Sequence, residues 1–181
     1  EVIVVVEEPD SGGEFTGDIY IRSDSGAITV LGDSWKYLEE GVVTGISPSI
    51  GQGGTSVTIV GKRLLGGGDN LVSVTLAGTT ASIKLSNSTY IVVVAADSSA
   101  TSGEVVLTAD SGAIIHLDNA WEYAEPGNVV SVEPSQGQVG TTVAISGSNL
   151  HGQGTQVVTV TLAGVEATIE SETNTDVIVT A

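Results

Sequence analysis

The residues able to do chemistry are few, and their spacing argues against catalysis. A hydrolase triad needs a histidine near a nucleophile and an acid. The only histidines are His116 and His151; the first falls in a strand pattern and the second in a loop, and we expect both at solvent or rim positions. No cysteine is present, which excludes a thiol nucleophile, a zinc–thiolate site and a disulfide framework. Carboxylates are plentiful, but nothing marks one pair as held in an apolar pocket where its acid–base behaviour would be tuned. No glycine-rich phosphate loop leads into a helix. The expectation is no enzyme, no catalytic residue and no resident cofactor.

Binding chemistry has more candidates. Oxygen clusters can hold Ca²⁺, and the acids that gather are Glu7, Glu8 and Asp10, then Glu39, Glu40 and Glu125, then the turn acids Asp24 and Asp110. No Asp-x-Asp-x-Asp-Gly loop occurs among them, and Asp in turns needs no metal to explain it. Asn87-Ser88-Thr89 is an Asn-x-Ser/Thr acceptor, so Asn87 is a glycosylation candidate if the chain is secreted. Trp35 and Trp121 could stack on sugars. A Trp on a closing strand more often covers a core or a domain seam, and we place Trp35, Tyr37, Trp121 and Tyr123 there. The Val-rich segments at either end, with Val2, Val4 and Val6 in one and Val177 and Val179 in the other, are candidates for strand pairing between units.

The net charge of −17, from 22 acids against five bases, repels a phosphate backbone and anionic lipid. We therefore expect no nucleic-acid partner. No apolar run approaches the ~20 residues needed to span a bilayer as a helix. Glu1 to Val6 lacks a basic n-region and an initiator Met, so we read the N-terminus as processed or as an arbitrary cut.

The elements that carry these residues read as strands. Apolar residues alternate at Val57 and Ile59, and at Val72, Val74 and Leu76, and Ile91 to Val94 is continuously apolar. Turn signals such as Gly66 to Asn70 and Asp110-Ser111-Gly112 separate the runs. No helix is expected. About seven short strands per repeat favours a sandwich.

The repeat itself is the strongest observation. At an offset of 86 residues, Pro48-Ser49 returns as Pro134-Ser135, Gly54-Thr55 as Gly140-Thr141, and Val74 to Gly78 as Val160 to Gly164. In the other direction Asp24 to Ala27 matches Asp110 to Ala113, and Trp35 and Tyr37 match Trp121 and Tyr123. The histidines fall on Val30 and Leu65, so no repeated site uses them. The seams lie near Glu39-Glu40-Gly41 and Glu125-Pro126-Gly127. We therefore expect the closing half of one domain at 1–40, a whole domain at 41–126 and the opening half of another at 127–181. The halves belong either to a longer array or to a polymer in which neighbouring chains complete one another.

The pattern Ile46, Pro48, Gly51, Gly54-Thr55, Val57, Ile59 and Gly61, repeated as Val132, Pro134, Gly137, Gly140-Thr141, Val143, Ile145 and Gly147, resembles the opening of the IPT/TIG domain. Leu76-Ala77-Gly78 is similar to the family's mid-domain turn, and Trp121-Glu122-Tyr123 to its closing strand. The resemblance implies an all-β, immunoglobulin-like sandwich in tandem repeats. The DNA-binding branch of that family needs basic loops, which this chain lacks. What remains are the extracellular members, which serve as spacers, adhesins and stalks, or as accessory modules on carbohydrate-active enzymes. The expected role is a structural repeat of an extracellular or cell-surface fibre or stalk, with itself as head-to-tail partner and no membrane insertion. The alternative is an adhesion or glycan-binding module using loops 66–70 and 152–155.

Overall fold

The computed structural model describes residues 13–181, and within them the chain is all β, with 16 strands and no helix. β-Branched aliphatics dominate the strands, as the pleated half-buried surface favours. Among the described residues no helix is long and apolar enough to cross a membrane.

The strands fall into three groups along the chain. The first is a hairpin of β1 (Phe15–Arg22) and β2 (Ile28–Tyr37), which forms a two-stranded sheet of its own. The second is a two-sheet sandwich. One of its sheets is ordered β3 (Val42–Ser47), β5 (Ser56–Lys62), β9 (Tyr90–Val94), β8 (Ser82–Ser86). The other is ordered β4 (Ile50–Gly51), β11 (Ile114–Tyr123), β10 (Thr101–Ala109), β6 (Leu71–Leu76), β7 (Thr79–Thr80). The third is one five-stranded sheet, ordered β12 (Asn128–Glu133), β13 (Thr142–Ser148), β16 (Asp176–Thr180), β15 (Val165–Glu172), β14 (Val160–Leu162).

Alternation puts one face of each sheet into the core of the middle group. Val57 and Ile59 of β5 and Ile91 and Val93 of β9 face Val74, Leu76, Val105, Leu107, Trp121 and Tyr123 of the opposite sheet, all effectively without solvent exposure. Each such side chain contributes about 1.5–3 kcal/mol of burial. Nine strands rather than the expected seven arise here. β4 and β7 are two-residue pieces formed where the chain passes between sheets, and periodicity over two residues carries no signal.

Tight turns hold the register. Ala77 and Gly78 both take positive φ (46° and 80°) between Leu76 and Thr79, the geometry of a two-residue loop whose twist matches its strands. Ala163 and Gly164 repeat it at 51° and 82° between Leu162 and Val165.

The third group is thinner. Its core holds only Val143, Ile145, Ala167, Val177 and Val179, because no second sheet covers it among the described residues. The counterpart of six-residue β6 is three-residue β14, whose outer edge has no pairing partner among the described residues.

Candidate assembly interface

The open face of the third group forms a cleft of about 510 Å³. Pro134, Ser135, Gln136 and Gly137 make one wall, Thr161 and Leu162 the other, and Val143 lies in the floor. The middle sandwich shows what such a cleft holds. There the corresponding walls, Ile50–Gly51 and β6, are bridged by the β10–β11 hairpin. Glu122 and Tyr123 of β11 run parallel to Ile50 and Gly51, and β10 pairs antiparallel to β6 with Val105 opposite Leu76 and Leu107 opposite Val74. Leu76 and Val74 are fully buried, whereas their counterparts Leu162 and Val160 stay partly exposed.

The β1–β2 hairpin has the opposite excess. It repeats the β10–β11 pairing position for position: Phe15 opposite Tyr37 as Thr101 opposite Tyr123, with the same irregularity at Gly17/Ile19 and at Gly103/Val105. Yet its apolar residues face solvent. Trp35 is 43% exposed against 1% for Trp121, and Ile19 is 37% exposed against 0% for Val105. The aromatic geometry is already set: Trp35 and Tyr37 meet edge to face at 5.9 Å and 84°, as Trp121 and Tyr123 do at 5.5 Å and 84°. Phe15 stacks on Tyr37 at 4.8 Å. Across the hairpin Lys36 pairs with Glu14 at 2.7 Å, and that contact lowers the Glu14 carboxyl below its ordinary range.

The joins between groups are short and directly bonded. Oε1 of Gln52, in the loop after β4, accepts a hydrogen bond from the Gly127 N–H at 3.0 Å, and its amide packs on Gly152. At the earlier join Arg63 donates to the Glu40 carbonyl at 2.7 Å and pairs with Glu39 at 3.0 Å. Leu38 lies against Gly67. Gly41 and Gly127 permit this closeness: a Cβ at either would sit 2.6 Å from a carbonyl oxygen, of Arg63 and Asn149 respectively.

Val2, Val4 and Val6, with Glu7, Glu8 and Asp10, lie outside the described residues. Val177 and Val179 lie on β16, which pairs with β13 on one side and β15 on the other. Both edges of that strand are taken within the chain, so it differs from the expected inter-unit strand, and the edge strands of this sheet are β12 and β14. Asn87 sits in the turn between β8 and β9. Its side-chain oxygen accepts from the N–H of Thr89 and Tyr90, both at 2.9 Å, and from the Thr89 hydroxyl at 3.1 Å, and no partner of the side-chain nitrogen is found among the described residues. Loop 66–70 is latched from within. Asp110 accepts from the N–H of Asp69 and Asn70 at 3.0 and 3.1 Å, and Ser111 donates to the Gly66 carbonyl at 2.9 Å. His116 is exposed on β11, while Nε2 of His151 hydrogen-bonds Glu172, which also accepts from the Val157 N–H. That hydrogen bond escaped the sequence reading, because 21 residues of separation give no local signal. Among the described residues no three His, Asp or Glu side chains converge as metal ligands would.

Comparison with known proteins fits this architecture. No curated protein matches the chain. Among solved structures, the full extracellular region of plexin A4 superposes with a TM-score of 0.54 at 21% identity, over 94% of this chain and 15% of that one. A surface glycan-binding protein of Prevotella bryantii gives 0.39 at 14% identity, over 77% and 36%. A Bacteroides ovatus protein from a mixed-linkage glucan utilization locus, solved with a heptasaccharide, gives 0.37 at 16%, over 94% and 44%. The plexin likeness shows the fold, and no argument rests on the other two. This chain spans less than half of each of these chains. The IPT/TIG domain profile matches twice, at residues 42–123 and 128–181. With most of its length so matched, the chain belongs to the IPT/TIG domain family.

Proposed function

We propose that this chain is a non-catalytic structural stretch of a head-to-tail array of IPT/TIG domains, working as a fibre or stalk outside the cell. In this reading 1–40 closes one domain, 41–126 is a whole domain and 127–181 opens the next. The join at Gly127 carries the proposal. Few residues separate Tyr123 from β12, and Gln52 bonds across that gap to the backbone of the following group. Gln138 and Gly66 occupy the positions equivalent to Gln52 and Gly152 one repeat away, so the residue types of this join recur with the repeat. Repeating one stiff step along an axis extends a quasi-linear object, its stability summed from units and nearest-neighbour contacts. The charge of −17 keeps such objects hydrated and apart. Asn87 serves as a glycan acceptor in this setting, its Asx turn presenting the amide nitrogen outward.

A second reading, a glycan-binding surface module, draws on the aromatic surface of Phe15, Trp35 and Tyr37, which offers flat rings to a sugar. The array reading accounts for the same surface more simply, because the equivalent Trp121 and Tyr123 are core residues. Electron microscopy of the parent material separates the two. End-to-end rods support the array, and dispersed compact particles that bind an oligosaccharide through Trp35 overturn it.

A further inference from the structure

We infer that the β1–β2 hairpin of one copy seats in the cleft of residues 128–181 of a second copy, in a register that the middle sandwich dictates. The inference rests on the array reading and specifies how one unit engages the next. Translating the observed pairings by one repeat places Ile19 opposite Leu162, Tyr20 opposite Thr161 and Ile21 opposite Val160. On the far wall it places Lys36 beside Gln136 and Tyr37 beside Gly137. Trp35 then enters the cleft as Trp121 does in the complete domain.

Three independent features of the chain favour this occupant over an unrelated protein. Ile19, Ile21, Trp35 and Tyr37 of the hairpin have the buried counterparts Val105, Leu107, Trp121 and Tyr123 in the middle sandwich, and Val160 and Leu162 of the cleft have the buried counterparts Val74 and Leu76. The Trp–Tyr edge-to-face pair is preformed in the free hairpin, so little order has to be gained on docking. The hairpin turn retains Asp24 and Ser25 where Asp110 and Ser111 latch loop 66–70, which aims the same latch at the Thr155 and Gln156 N–H groups and the Gly152 carbonyl. The free edge of β14 gains its missing strand in the process. Both partners are acidic, so the encounter is slowed by repulsion and quickened by salt.

The full chain tests this without background, since it contains no cysteine. Tyr20→Cys and Thr161→Cys versions, mixed and oxidised, are expected to yield disulfide-linked heterodimers. The chain carrying both changes is expected to yield a ladder of multimers. A Tyr20→Cys and Thr159→Cys mixture, two residues off register, is expected to link about tenfold less, because a disulfide cannot bridge Cα atoms more than ~7 Å apart. Trp35 fluorescence in the unaltered chain is expected to become protected from acrylamide as concentration rises, while Trp121 is protected throughout. Equal linking at both positions, or no linking with Trp35 accessible at every concentration, overturns the proposal. Failure here with a rod-like scattering profile of the chain would leave the array reading standing; a globular profile would remove both.

Discussion

Trp121→Ala and Trp35→Ala make one experiment, because the two residues have the same sequence context and opposite environments. Trp121 is 1% exposed in the middle core and Trp35 is 43% exposed on the hairpin. Removing a buried Trp costs about 3–5 kcal/mol, the lost transfer energy plus the cavity left behind. Trp121 Nε1 is buried without a hydrogen-bond partner, a penalty the substitution relieves, so the lower end, about 3 kcal/mol, is expected. A domain the size of the middle sandwich holds about 4–12 kcal/mol in total. At about 4–8 °C per kcal/mol, Trp121→Ala should lower its melting temperature by roughly 12–24 °C. Trp35→Ala should leave that transition within about 2 °C, since exposed positions change stability by ~0.5 kcal/mol or less. Calorimetry on dilute chain, with far-UV circular dichroism to assign the transition, reads both. Equal shifts from the two substitutions would refute the reasoning, since they would mean that Trp35 already sits in a core formed within one chain.

Three further outcomes follow from particular contacts. Burial pushes the Tyr123 phenol above its ordinary value of 10.0, so the folded state favours the neutral form; that stability is whole below about pH 10 and is lost as pH rises through the raised pKa. Alkaline titration should therefore unfold the middle sandwich, and Tyr123→Phe, which also removes a buried hydroxyl lacking a partner, should delay unfolding and leave neutral-pH stability unchanged or higher. Asp110→Ala removes two carboxylate bonds to the Asp69 and Asn70 N–H groups; a loss of about 1–2 kcal/mol and faster amide exchange at those two residues are expected by hydrogen-exchange mass spectrometry. Gln52→Ala should leave the melting of the middle sandwich within about 0.5 kcal/mol while broadening the distance distribution between spin labels on either side of Gly127.

Much of this architecture was legible because the chain contains its own comparison. The 86-residue offset matched Asp24 to Ala27, Trp35 and Tyr37 with Asp110 to Ala113, Trp121 and Tyr123, and the structure extends that equivalence to an irregularity that β1 and β10 share opposite β2 and β11. Alternation at Val57 and Ile59 and the apolar run at Ile91 to Val94 identified central strands, since a strand buried on one or both faces must show it in composition. Long-range pairings were not legible. The two-residue parallel contact of Ile50–Gly51 with Glu122–Tyr123 has no periodicity to read, although it closes the sheet beside the buried Trp121. Val177 and Val179 looked like an edge because they stand near the end of the sequence, but position along a chain says nothing of position in a sheet, and β16 lies between two neighbours. The Asp110 latch was hidden for a related reason. Turn-forming Asp is common, and only the fold shows that this one reaches 40 residues back to hold another loop.

Small-angle scattering of the full chain across a concentration and salt series tests the central claim most directly. The account predicts an elongated particle whose length grows with concentration and with salt, while its cross-section stays that of a single sandwich. A concentration-independent profile of globular shape, with the hairpin and the cleft satisfied inside one molecule, would contradict it.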